Sequence, residues 1–414
     1  MMHIFKKYYK ISLSNRILIW MFLGALAGIL WGNKILFLKP LGDMFIDLLI
    51  MAAIPLVFFN LVAGLLSMES IKTLGGVGLK VMGYYITTTV IAIVLGIVFT
   101  SIIKPGIGFK VKEVSVGKIG EVPDIVEILM NMYPKNIFKS FTDGNLIQIV
   151  VFGVLLGIAI LSMKREYKEP LKNGFELIAK AMQKLIGLIM KIAPLCLGAL
   201  IAVTIGEYGA KVLGSVAKFI GTVGAAQIVM VIFYMILMLV LTKTSPLWFL
   251  KKTKELYATT IATTSSLASL TVALDVADNK LKLPQSIFNF TLPLGAQFNK
   301  DGTSIMLSTI LIFTAQAVGW EISFSEMIQI ILVGLLLSEG STGIPGGGFV
   351  IATMFVQAFG LPIEVAVIVG GIYRIIDMGN TTVNCMSDMV ATVIISKYEM
   401  GWQAEDIDFE KIER

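Results

Sequence analysis

Between Phe290 and Asp388 the chain sets carboxylates, amides, hydroxyls and glycine runs inside stretches that are otherwise apolar. Residues 291–303 read TLPLGAQFNKDGT, residues 340–348 read GSTGIPGGG, and residues 375–388 read IIDMGNTTVNCMSD. On a helix at about 100° per residue, Tyr373, Asp377, Asn380, Thr381, Asn384 and Asp388 share an arc of roughly 100°. Two carboxylates facing one cavity call for cations, and about three helical turns between them let each take a different one. Hydrocarbon solvates neither carboxylates nor unpaired backbone, so such groups persist only where they line an enclosed or watery cavity. The chemistry implied is binding of small charged species at membrane depth.

The elements that position these groups follow from composition. Of 414 residues 56% are hydrophobic and 15% charged, with mean hydropathy +0.84, which points to an all-α polytopic membrane protein. Apolar spans near the roughly 20 residues that cross a bilayer run over 17–31, 44–66, 81–103, 146–162, 178–204 and 219–242. MMHIFKKYYK is basic like a signal peptide, but no small-residue cleavage site follows, so the first span reads as a retained helix.

Lysine and arginine set the expected orientation. Lys6, Lys7, Lys10 and Arg16, then Lys72 and Lys80, Lys164, Arg165, Lys168 and Lys172, and Lys243, Lys251, Lys252 and Lys254 fall on alternate faces, which places both termini in the cytoplasm. The net charge of +6 is thus a topology signal, and no basic patch interleaved with aromatics calls for nucleic acid. Cys196 and Cys385 sit in apolar context and His3 is the single histidine, which excludes a thiolate metal cluster, a Ser-His-Asp triad and a histidine relay. An enzyme would have to rest on the hydroxyl run 263–266. A pump lacks the Gly-Lys-Ser/Thr ending in its glycine-rich segment, and a channel would need rings of one charge type.

After Thr242 one pattern occurs twice. Residues 247–276 are too polar for a simple span, and the following helix is interrupted at 299–303. Residues 326–337 and 349–360 are two short apolar arms around a glycine-rich tip, followed by a long helix over 362–396. A hairpin and then a broken or polar helix, repeated, is the trace of an inverted repeat with its site at the midplane. Ordinary loops between kinked helices are the alternative, and they leave the intramembrane charges unexplained.

In these stretches, TTSSLASL (263–270), TLPLGAQFNKDGTS, GSTGIPGGG and DMGNTTVNCMSD, the chain resembles the glutamate transporter homologues, the dicarboxylate/amino acid:cation symporters. MFIDLLIMAAIPLVFFNLVAGL (44–65) and GYYITTT (83–89) resemble that family's second and third helices. The resemblance implies eight transmembrane helices plus two re-entrant hairpins, sodium as the coupling ion and a homotrimer working as an elevator. Scaffold helices would occupy 1–75 and 105–210, the moving transport domain 76–104 and 211–398, and a cytoplasmic tail 399–414. It further implies that Asp377 takes a substrate ammonium, that Thr381, Asn384 and Asn380 line the same pocket, and that Thr303 lies near the substrate side chain. Ser265 and Ser266 would hold the α-carboxylate, with the tip from Ile344 to Gly348 closing over it. A sodium is implied among Gly295, Asn299, Asn384 and Asp388, and another among Tyr85, Thr88, Thr89, Asn299 and Asp301. The threonines also admit a bland reading, since threonine in membrane helices often bonds its own preceding carbonyl.

Lys300, Glu339 and Asn380 depart from the family pattern. Lys300 stands where the family has methionine, and its ammonium must be paired, deprotonated or exposed to water. Glu339 or the carbonyls of the second hairpin tip are its expected partners, so that the lysine stands in for a sodium; snorkelling to water is the alternative. Asn380 replaces an arginine that pairs a side-chain carboxylate in acidic-substrate members, which favours a neutral amino acid. Arg374, one turn before Asp377, either neutralises that carboxylate or enters the pocket, in which case acidic substrates or cystine return. Proton coupling through Glu339, Asp301 or Asp388 stays open.

Overall fold

A computed structural model describes residues 13–66, 74–109, 133–143, 146–209, 211–339 and 347–404, and these are helical almost throughout, with no strand among them. The helices are α1 (Leu13–Trp31), α2 (Lys39–Leu66), α3 (Leu79–Ile103), α4 (Ile137–Asp143), α5 (Leu146–Leu161), α6 (Arg165–Ile189), α7 (Ala193–Tyr208) and α8 (Lys211–Thr242). There follow α9 (Pro246–Thr263), α10 (Ser266–Asp275), α11 (Gln285–Phe298), α12 (Asp301–Val318), α13 (Phe324–Glu339), α14 (Gly347–Ala358) and α15 (Ile363–Met400). Among the described residues four helical stretches are long and apolar enough to cross a membrane, and a fifth results if α6 and the following helix form one bent span.

That bend corrects the expected straight span over 178–204. The helix starts earlier, at Arg165, and α6 and α7 meet at 56°. Pro194 sits in the first turn of α7, where its missing N–H costs no hydrogen bond; one turn further into a continuous helix it would remove one. Elsewhere helices coincide with the expected spans to within a few residues, except that α8 begins at Lys211 rather than near Phe219; among the described residues Ile54–Leu66 and Val151–Leu161 are shorter apolar stretches than the four that could cross.

Packing falls into two sets. α1 lies along α7, with Gly24 against the backbone of Gly198, and α2 packs on α5 and α6. Around α12 gather α3, α8, α13, α14 and α15, while α9 and α11 lie against α15. Every residue of α12 from Asp301 to Ala315 is buried, whatever its polarity. A helix surrounded on all sides needs no polar face, but each of its polar groups then needs a protein partner. Lys397 at the end of α15 donates to the Thr242 carbonyl at the end of α8 (2.8 Å), and Lys80 pairs with Glu399, so α3, α8 and α15 are tied together at the end that carries these lysines.

Candidate functional site

The α11–α12 helix stops and restarts within two residues. Asn299 leaves the helix in an extended conformation (ψ 118°), Lys300 follows at φ −135°, and the helix resumes at Asp301. Pro293 inside α11 removes one ladder donor upstream of the stop. Asn299, Lys300 and Asp301 are all buried, so groups released by the break must find their partners inside the protein.

Two hydrogen-bonded clusters form on either side of the break. Asn299 Nδ2 donates to Asp388 Oδ1 (2.8 Å) and to the Asn384 carbonyl (3.2 Å), and the Gly302 N–H donates to Asn384 Oδ1 (2.7 Å). Gly295 completes this cluster because a side chain there would run into the Asp388 carboxyl and the Tyr85 hydroxyl. On the other side, Asp301 Oδ1 accepts from Thr89 (2.9 Å), and its Oδ2 accepts from Tyr234 (2.5 Å) and Ser387 (2.8 Å). The Thr88 hydroxyl bonds the Tyr85 carbonyl of its own helix (3.1 Å), the bland reading admitted above, and also lies beside the Asp301 carboxyl. The Tyr85 hydroxyl donates to the Thr291 carbonyl (3.1 Å).

A third group surrounds Asp377. Tyr373 donates to its Oδ1 (2.8 Å), and that phenol lies against Gly348, where an added side chain would also touch Thr303. Thr381 is buried on the same helix. Thus α12, α14 and α15 converge on one wall: Thr303, Gly348, Tyr373 and Asp377. Ile344 falls outside the described residues, as does the side chain of Glu339, so the expected Lys300–Glu339 pair has no geometry here.

The first hairpin meets α15 at its tip. Thr264 turns the chain in the left-handed region (φ 48°), and Ser265 caps α10 by accepting from the Ala268 N–H (3.2 Å). Ser265 and Ser266 are buried, with Ser266 beside Cys385 of α15. Arg374 donates to the Thr264 hydroxyl and to the Ala262 and Thr263 carbonyls (3.5 Å each), so it neutralises the exposed carbonyl end of α9. Neither expected role of Arg374 included this clamp. Asn380 is likewise engaged: its oxygen accepts from Gln227 of α8 (2.8 Å) and its amide faces the Met306 sulfur (3.5 Å).

Tyr234, Ser387 and Gln227 carry parts of these networks and were not singled out from sequence. Each interrupts an apolar or small-residue run with a hydrogen-bonding side chain, the one signal they leave. Among the described residues no group of three or more His, Cys, Asp or Glu could form a metal cluster. The buried Asn299 Oδ1 makes no hydrogen bond, and beside it stand the Asp388 carboxylate and the close-packed Gly295. Oxygen donors of this kind suit a hard monovalent cation.

An interrupted helix, a tight turn between α9 and α10 and a cluster of buried oxygen donors are thus in place. The profile described as "Sodium:dicarboxylate symporter family" matches residues 13–398. The chain belongs to the sodium:dicarboxylate symporter family. It is 32% identical over 408 residues to the "Proton/sodium-glutamate symport protein" of Geobacillus stearothermophilus, covering 96% of each chain. To the "Proton/glutamate-aspartate symporter" of Bacillus subtilis (strain 168) it is 30% identical over 400 residues, covering 94% of this chain and 96% of the relative. A "C4-dicarboxylate transport protein" of the same organism is 29% identical over 399 residues, covering 94% of each. As a member of this symporter family the protein is an integral membrane cation-coupled symporter and not an enzyme.

Proposed function

We propose that this symporter moves a neutral amino acid, driven by the sodium gradient across the cytoplasmic membrane. The observation that carries the substrate class is Asn380: a neutral amide, fully buried and held by Gln227, stands where a cation would be needed to make a second carboxylate worth desolvating. Asp377, oriented by Tyr373, takes the substrate ammonium, and Thr381 and Asn384 lie on the same helix face. The capped N-terminus of α10 at Ser265 and Ser266 offers hydroxyls and backbone N–H groups to the α-carboxylate. Sodium is held by the donors around Asn299, Asn384 and Asp388, and a second ion by those around Asp301 and Thr89.

The transport domain in this reading comprises α3 and α8 to α15, and it slides as an elevator against a scaffold of α1, α2 and α4 to α7. Eight spans, two re-entrant hairpins (α9–α10 and α13–α14), a homotrimeric assembly and cytoplasmic termini complete the proposal. A second reading has its own support. Arg374 places a guanidinium at the first hairpin tip, and the relatives' names specify glutamate, aspartate and C4-dicarboxylates, so an acidic substrate could find its counter-ion there. Uptake into proteoliposomes, with serine, alanine, threonine, cystine, aspartate and glutamate as competitors under a sodium gradient, a proton gradient or neither, tests both. Inhibition by aspartate or glutamate alone overturns the neutral assignment, and uptake driven only by protons overturns sodium coupling.

A further inference from the structure

Lys300 is a buried cation to which the proposed substrate and sodium sites give no role. Its side chain is 1% exposed, yet it belongs to the most strongly hydrated class of side-chain cation. The ammonium folds back on its own broken helix and donates to the Ala296 carbonyl (2.8 Å) and the Asn299 carbonyl (3.3 Å). Both carbonyls belong to the terminal turn of α11, where the break takes away the next helical turn and the helix dipole leaves partial negative charge. Its charge is also felt by the Asp388 carboxylate across the cluster. Interrupted helices in transporters commonly present such terminal carbonyls to a coupling cation.

We propose that Lys300 is a resident cation: its ammonium fills the carbonyl site at the end of α11 that would otherwise take a monovalent metal ion. The proposal rests on the cation-coupled reading above and deepens it. A tethered charge makes every crossing of the site, loaded or empty, so it stabilises the carbonyl end without drawing on the gradient. The protein therefore couples transport to fewer sodium ions than the same site would with a neutral residue. Snorkelling to water, the alternative open from sequence, does not describe a side chain whose tip is buried and donating to two carbonyls.

The test is equilibrium binding of radiolabelled sodium to the purified full-length protein in detergent, with wild type, Lys300→Met and Lys300→Arg compared. Lys300→Met should bind additional sodium per chain at saturation and show a steeper sodium dependence of uptake, while Lys300→Arg keeps the wild-type amount. Equal, non-zero binding by wild type and Lys300→Met overturns the lysine proposal and leaves sodium coupling intact. Binding by Lys300→Met alone supports the proposal and counts against sodium coupling of the natural protein. No binding by either overturns both. Because Lys300→Met can disturb folding, Lys300→Ala provides a second arm: ethylammonium should raise its melting temperature and leave that of wild type unchanged. An equal response of the two proteins refutes the resident cation.

Discussion

The two longest polar elements of the site work in opposite ways. α11–α12 breaks and offers backbone: the Gly302 N–H to Asn384 and the Ala296 and Asn299 carbonyls to Lys300. α15 runs unbroken from Ile363 to Met400 and offers side chains: Asp377, Asn384, Ser387 and Asp388 along its buried face. The difference shows how a membrane site is assembled without water. An intact helix consumes its own backbone groups and can present only side chains, whereas an interrupted one releases carbonyls and N–H groups that need no ionisable residue. Together they offer oxygen donors with fewer buried charges than carboxylates alone would require.

This contrast can be broken by substitution. The largest effect is expected from the side-chain element: Asp388→Asn keeps an oxygen acceptor for the Asn299 amide but removes the carboxylate charge, at about 3 kcal/mol, so the half-saturating sodium for uptake should rise on the order of a hundredfold. An unchanged sodium dependence would mean that α15 does not supply the charge. On the backbone element, Gly302→Ala should cost about 1–3 kcal/mol of stability, because the added carbon meets the Asn380 backbone. The melting temperature of the purified protein measures it, and a shift no larger than that of Gly214→Ala, where nothing lies within reach, would show that the helices are not held at this distance.

Smaller effects sharpen the picture at neighbouring hydroxyls. Thr89→Val deletes a donor to the buried Asp301 carboxylate and should weaken sodium-dependent binding about tenfold, whereas Thr88→Val, whose hydroxyl bonds its own helix, should change it less than about threefold. Equal losses in titrations of the two variants would show that Thr88 also reaches the ion. Smallest is Gln227→Leu, which releases the Asn380 oxygen: a change of about threefold in the ratio of neutral to acidic amino acid uptake is expected, read from the competition panel. No change in that ratio would separate Asn380 from substrate selection.

Much of this was legible along the chain because lipid is an intolerant solvent. The interruption after Phe298, the turn at Thr264 between two short polar arms and the polar face of α15 all announce themselves as polar groups within apolar runs. The bend between α6 and α7 was harder to read, since hydropathy is continuous across it and only Pro194 marks it. Tyr234 looked like one more residue of an apolar span until its hydroxyl was found on Asp301. Helical spacing pairs Arg374 with Asp377, and the two charges do interact, but its hydrogen-bond partners lie on another helix far away in sequence.

Sequence by itself determined the membrane class, the places where helices must stop, and the residue types available to a polar site within the membrane, because burial of polarity in hydrocarbon has few solutions. Only the tertiary structure decided which of those groups meet. It joined Asn299 to Asp388, drew Thr89, Tyr234 and Ser387 around Asp301, and turned Lys300 back onto the carbonyls of its own helix. Periodicity orders residues along one helix but carries no information about the rotation or depth of its neighbours, and a hydrogen bond depends on both.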